Sequence, residues 1–151
     1  MTSTDDEAPS SIEQEFDAEA YARFIGQIEL EAIWLASSRI DNRVGLRQPI
    51  RTEVGVESRA GWAPRPSGFE VEHAYAVTIQ GEQAAALEIE VVFGLAFASP
   101  QPMTEALFGV FADVNLPVNT WPYLREYVAS VFGRVGWVPF TLPTLKRGVA
   151  A

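Results

Sequence analysis

The hydrophobic pattern predicts an α+β fold: a four-stranded antiparallel sheet followed by two helices, with one more helix ahead of the sheet. Three observations carry that expectation. Phe69, Val71, His73, Tyr75, Val77 and Ile79 alternate with Glu70, Glu72, Ala74, Ala76 and Thr78, the period of a half-buried strand. Leu87, Ile89, Val91, Phe93, Leu95 and Phe97 repeat the alternation with Glu88 and Glu90 opposite, and Gln80-Gly81-Glu82 supplies a tight turn between the two rows. Beyond Pro100 and Pro102 the apolar spacing lengthens to three and four, the period of a helix.

In chain order, residues 1–11 (MTSTDDEAPSS) read as a mobile acidic tail, residues 12–145 as the folded domain, and residues 146–151 as a short carboxy-terminal tail. Ser10 stands three residues before Glu13, a capping pattern. Ile12, Phe16, Ala20 and Phe24 then recur at helical spacing, which predicts a helix with Glu13, Glu15, Asp17 and Glu19 near its positive end. From Gln27 the period turns towards two. Ile28 and Leu30 share one parity and Ile33 and Leu35 the other, so the first strand is expected to carry a bulge near Ala32. Val54, Val56, Ala60 and Trp62 form the second strand, with Pro64, Pro66, Ser67 and Gly68 expected to break the chain after it. Short turns between consecutive strands imply an antiparallel sheet covered on one face. Thr104 can cap a short helix bearing Leu107, Phe108 and Phe111, and residues 115–119 read as a Pro-containing break. The last helix takes Trp121, Leu124, Val128, Val131 and Phe132 as its apolar stripe, with Pro122 in its first turn and a Gly stop.

Composition limits the function classes. The 151 residues carry 20 acidic against 11 basic side chains, a net charge of −9, which argues against a surface that reads nucleic-acid phosphates. No run approaches the roughly 18 apolar residues of a membrane helix. The amino terminus is acidic where a secretory signal would be basic, so the cytoplasm is the expected compartment and membrane insertion is not expected. The chain has no cysteine and one histidine, His73, too few nitrogen and sulfur donors for a zinc site. His73 lies on the apolar parity of its strand and is expected to be buried with a hydrogen-bond partner. Glu70/Glu72 and Glu88/Glu90 share a parity that suits a solvated outer sheet face. No Gly-rich phosphate loop, nucleophile elbow or Ser/His/Asp set is visible, so no enzyme activity and no cofactor are expected.

The most informative stretch is residues 119–143. Trp121-Pro122-Tyr123-Leu124-Arg125-Glu126-Tyr127-Val128, then Gly133-Arg134, then Pro139-Phe140-Thr141-Leu142, resembles the carboxy-terminal signature of the SecB family of protein-export chaperones. Glu90-Val-Val-Phe-Gly-Leu-Ala-Phe97 is similar to that family's last strand. The likeness covers roughly residues 27–143 and is most specific in the final 25 or so. It implies a SecB-like fold and an ATP-independent holdase that binds unfolded preproteins through an exposed apolar groove, with no cofactor. It also implies a homotetramer, a dimer of dimers. The Tyr-x-Arg-Glu-Tyr-Val form and the extra amino-terminal helix are closer to solitary actinobacterial SecB-like chaperones, some of which hold one antitoxin of a toxin-antitoxin module.

Contact with the SecA motor, as the family makes it, would use the sheet acids Glu88 and Glu90. Two departures weigh against that coupling: the first-strand positions where the family carries acids hold Ala32 and Ala36, and the sequence ends soon after Leu145 with Lys146 and Arg147.

A holdase needs large apolar side chains in reach of solvent, because unfolded chains offer scattered apolar groups and unpaired backbone. One aromatic buries about 150–250 Å², worth at most roughly 4–6 kcal/mol before ordering costs. The candidate client-binding residues are Trp34, Trp62, Tyr123, Tyr127, Trp137 and Phe140, which the resemblance sets around a groove between sheet and helix. Each has a plain alternative as a core or oligomer contact, and Trp121 and Leu124 are assigned to packing. A domain enclosing a small apolar ligand between sheet and helices is the rival from another class.

Overall fold

The structure, a computed structural model, describes residues 18–145. Its elements are α1 (Ala18–Gln27), β1 (Glu29–Asn42), β2 (Glu53–Arg65), β3 (Gly68–Gln80), β4 (Ala85–Ala98), α2 (Glu105–Val114) and α3 (Leu116–Arg134). The four strands form one antiparallel sheet in the order β1-β4-β3-β2. The connection from β1 to β2, residues 43–52, therefore passes from one sheet edge to the other. The α+β expectation holds, with the helices on one sheet face and the other face left open. The capping pattern at Ser10 and Glu13 and the start of the first helix lie outside the described residues.

The alternation in β3 and β4 sets the layers. Phe69, Val71, His73, Tyr75, Val77 and Ile79 are buried, and so are their β4 partners at odd positions from Leu87 to Phe97. At the amino end of β3 the core is aromatic: Phe69 stacks on Phe97 at 5.0 Å, and Phe111 of α2 meets both edge-on. Phe24, the one buried residue of α1, joins this cluster. Gly68 is needed for close approach, since a Cβ there would lie 1.8 Å from the Phe97 carbonyl oxygen.

Several boundaries differ from expectation for physical reasons. β1 carries its predicted bulge between Leu30 and Ala32, then a second between Leu35 and Ser37, and continues to Asn42. β2 runs through Pro64, which an edge strand tolerates because the missing N–H would face solvent. The break is confined to Pro66 and Ser67, the latter at φ 63°. The Pro-containing break at 115–119 is in fact the single residue Asn115; α3 begins at Leu116 and accepts Pro117 in its first turn, where backbone N–H groups have no intrahelical partner. Pro122 consequently falls inside the helix.

Helix ends follow standard chemistry. Thr104 caps α2, its Oγ1 accepting from the Leu107 N–H at 3.2 Å. Gly136, at φ 78°, closes α3: the Trp137 N–H donates to the Phe132 carbonyl at 2.9 Å and the Gly136 N–H to the Gly133 carbonyl at 3.2 Å. Gly136 is thus the stop, and Gly133 lies within the helix.

Candidate functional site

α3 organises the surface because its 3.6-residue period gives it three working stripes. Thr120, Leu124, Val128 and Val131 are buried towards the sheet. Trp121, Arg125 and Phe132 form a second stripe on one flank, and Tyr123 and Tyr127 lie on the opposite flank.

The sheet-facing stripe is fixed by a buried polar knot. Thr120 Oγ1 donates to the Leu116 carbonyl at 3.2 Å, and lies 2.9 Å from His73 Nδ1 and 2.7 Å from the Tyr75 hydroxyl. One hydroxyl has one donor and two acceptor sites, so the set is satisfied when His73 Nδ1–H and Tyr75 O–H both donate to it. Burial pushes the His73 imidazole down to about 4, so the ring is neutral near pH 7. Burial likewise pushes the Tyr75 phenol up to about 12, with the Thr120 hydrogen bond opposing. The expectation of a buried, partnered His73 is met.

The flank bearing Trp121, Arg125 and Phe132 is covered by the chain that follows α3. Trp137 packs edge-on against Phe132 at 5.4 Å, and Phe140 stacks on the same ring at 5.4 Å. Arg125 Nε donates to the Leu142 carbonyl and Trp121 Nε1 to the Pro143 carbonyl, each at 2.8 Å. Residues 137–143 therefore run back along α3 as an antiparallel strap. Its root is tied to the crossover connection, where Trp137 Nε1 donates to the Gly45 carbonyl at 2.8 Å. The Gln48 side-chain amide also pairs both ways with the Val138 backbone, at 2.7 and 3.3 Å.

The opposite flank stays open. Tyr123 is 47% exposed and its ring lies 6.2 Å from Phe93 on β4. The Tyr127 hydroxyl is bonded to the Ser38 hydroxyl of β1. The helix-facing side of β1 presents Leu30, Leu35 (50% exposed) and Ile40 to solvent. These residues pair with the buried β4 positions Phe97, Phe93 and Ile89, which fixes their side of the sheet.

The six sequence-derived aromatics are consequently distributed among four places. Tyr123 and Tyr127 share the open flank. Trp34, 42% exposed, lies on the other sheet face over Gly94, where a Cβ would come within 2.2 Å of its ring. Trp62 is half-buried on the far edge strand beside Phe108 of α2. Trp137 (5% exposed) and half-buried Phe140 are engaged in the strap against Phe132, so within the chain the six do not frame a single groove. Sequence reasoning missed Leu30, Leu35 and Ile40. The second bulge had no signal, because residues 36–42 lack an apolar alternation.

Of the two sheet acids, Glu88 is held in a 2.8 Å ion pair by Arg43, which also meets Asp41, whereas Glu90 is exposed opposite Arg39. The open sheet face forms a trough of about 560 Å³ with Ala74, Ala76 and Val92 among its lining and Arg39, Glu57, Arg59 and Glu90 at its polar positions, unlike an enclosed apolar ligand pocket. Among the described residues no group of three or more His, Cys, Asp or Glu is placed to hold a metal ion, and no helix is long and apolar enough to cross a membrane.

No family model and no curated protein sequence matches the chain. A solved structure does: the Mycobacterium tuberculosis SecB-like chaperone in complex with a ChAD peptide from the HigA1 antitoxin. The TM-score is 0.73 at 22% identity, over 85% of this chain and 97% of that one. The fold is SecB-like. A protein of unknown function from Streptococcus agalactiae aligns more distantly, with a TM-score of 0.43 at 13% identity over 78% of this chain and 98% of that one, and carries no argument. The SecB-like likeness agrees with the signature in α3: the Trp-Pro-Tyr-x-Arg-Glu run supplies Trp121 and Arg125 to the strap side and Tyr123 to the open side.

Proposed function

We propose that this chain is an ATP-independent holding chaperone that keeps aggregation-prone polypeptides unfolded, acting without a cofactor and catalysing no reaction. The observation that carries the reading is the open flank, where Tyr123 of α3 and Leu30, Leu35 and Ile40 of β1 are exposed, with half-buried Tyr127 bridging helix and strand, on a SecB-like fold. Exposed apolar area of this kind suits weak, repeated contacts with an extended chain. Trp34 on the opposite sheet face is a second contact point; Trp62, Trp137 and Phe140 serve packing within the chain.

The proposed assembly is a homotetramer, which would multiply such grooves and raise the holding strength by avidity. The proposed compartment is the cytoplasm and the proposed clients are unfolded preproteins. A dedicated antitoxin as client is the narrower form of the same role, and the antitoxin peptide bound to the M. tuberculosis neighbour is consistent with it as with the general role. Engagement of SecA would fall to Glu90, because Arg43 holds the neighbouring Glu88 in an ion pair.

A holdase acts by mass action on the unfolded state, so it should slow refolding of a denatured protein and suppress its aggregation equally with and without ATP. Refolding at an unchanged rate with stoichiometric chaperone would rule the proposal out.

A further inference from the structure

The strap has the features of an extended peptide seated in a groove. Its side chains alternate: Val138, Pro139, Thr141 and Pro143 are exposed, Phe140 is half-buried and Leu142 is buried. α3 holds its backbone through two carbonyl oxygens, those of Leu142 and Pro143, which accept from Arg125 Nε and Trp121 Nε1. Such contacts are indifferent to the side chains of the bound segment, and any extended chain presents carbonyls in the same way. Pro139 and Pro143 have no N–H, and no described hydrogen bond uses the N–H of Phe140, Thr141 or Leu142. The segment beyond Val138 is therefore held by Phe140, Leu142 and two carbonyl contacts, without a ladder of backbone bonds. Its root is separately fastened by Trp137 to Gly45 and by Gln48 to Val138, so the outer part can lift while the root stays fixed.

We propose that residues 139–143 are an internal occupant of a second peptide groove on α3, floored by Phe132 and rimmed by Trp121 and Arg125, and that a client segment binds there by displacing them. The groove takes an extended stretch with apolar side chains two residues apart, the spacing of Phe140 and Leu142. The inference rests on the holdase reading and adds to it an autoinhibitory contact.

Because the chain has no cysteine, the strap can be fastened specifically. Ala129 lies between Arg125 and Phe132 along the helix, the span over which Thr141 passes. Ala129→Cys with Thr141→Cys, bridged by a flexible thiol crosslinker that a reductant releases, gives locked and free forms of one preparation. The free form should capture a denatured client several-fold more tightly than the locked form. Equal capture by both overturns the inference and leaves the holdase reading standing; capture by neither removes both. Phe140→Ser supplies the opposite sign. It should tighten capture several-fold if Phe140 plugs the groove from within, whereas weakened capture would return Phe140 to the set of client contacts and overturn the displacement.

Discussion

The two flanks of α3 are both aromatic, yet one is closed by the protein's own chain and the other is not. On the closed flank Phe132 is fully buried beneath Trp137 and Phe140, and two side-chain donors fix the strap above it. On the open flank Tyr123 keeps nearly half its surface, and the adjacent β1 leaves three large aliphatic side chains uncovered. The same helix thus has one set of aromatics covered by the chain's own strap and another left in reach of solvent. Which fate a residue meets depends on where the following segment runs, not on its own chemistry.

Substitutions should separate the flanks by the kind of loss they cause. The largest stability effect is expected from Phe132→Ala, about 3–5 kcal/mol by denaturant unfolding, since a fully buried ring leaves a cavity under the strap; a loss below about 1 kcal/mol would mean the strap does not close that flank. Next comes pH, which acts on the sheet side beneath both flanks. His73 has its folded value depressed to about 4 from the ordinary 6.5, so its contribution is complete above pH 6.5 and is lost as pH falls towards 4. The unfolded chain binds the extra proton in that window. The expected loss is at most about 3 kcal/mol, and His73→Gln should flatten that part of the pH profile; an unchanged slope would show that other groups set it.

Tyr123→Ala should reverse the pattern of Phe132→Ala. Stability should change by less than about 1 kcal/mol, while affinity for an unfolded client should weaken by about tenfold, the effect of losing one contact worth roughly 1.4 kcal/mol. If the unfolding midpoint moves and the affinity does not, Tyr123 belongs with the packing residues. The smallest effect is expected from Trp121→Phe, which keeps an aromatic side chain but removes the indole N–H that bonds the Pro143 carbonyl, about 1 kcal/mol by denaturant unfolding; no change would show that this bond does not hold the strap.

The sequence made the layers of this fold legible where apolar alternation was unbroken, as in β3 and β4, and where a Thr cap stood before a helical period, as at Thr104. It was silent where geometry interrupts the pattern. The bulge at Ala36 reorients β1 after Leu35, and the run Ser37 to Asn42, polar except for Ile40, carries no alternation to betray a strand. Pro117 and Pro122 suggested a late helix start, although a first turn accepts proline and an interior proline can remain within a tertiary-packed helix. Among the candidate site residues, Tyr123 and Trp34 are found exposed. Trp137 is not, because its burial depends on Gly45 and Phe132, and the contact to Gly45 is not implied by local spacing.

The central claim, that this SecB-like chain holds unfolded polypeptide, is tested most directly by gel filtration with light scattering. The protein would be mixed with a secretory precursor diluted from denaturant and, separately, with the same precursor prefolded. The account predicts that only the unfolded form co-elutes, bound to a species of about 65–70 kDa before the client's mass is added, four copies of the 16.6 kDa chain. A protein that elutes without client in both mixtures, or that takes up both forms equally, would contradict it.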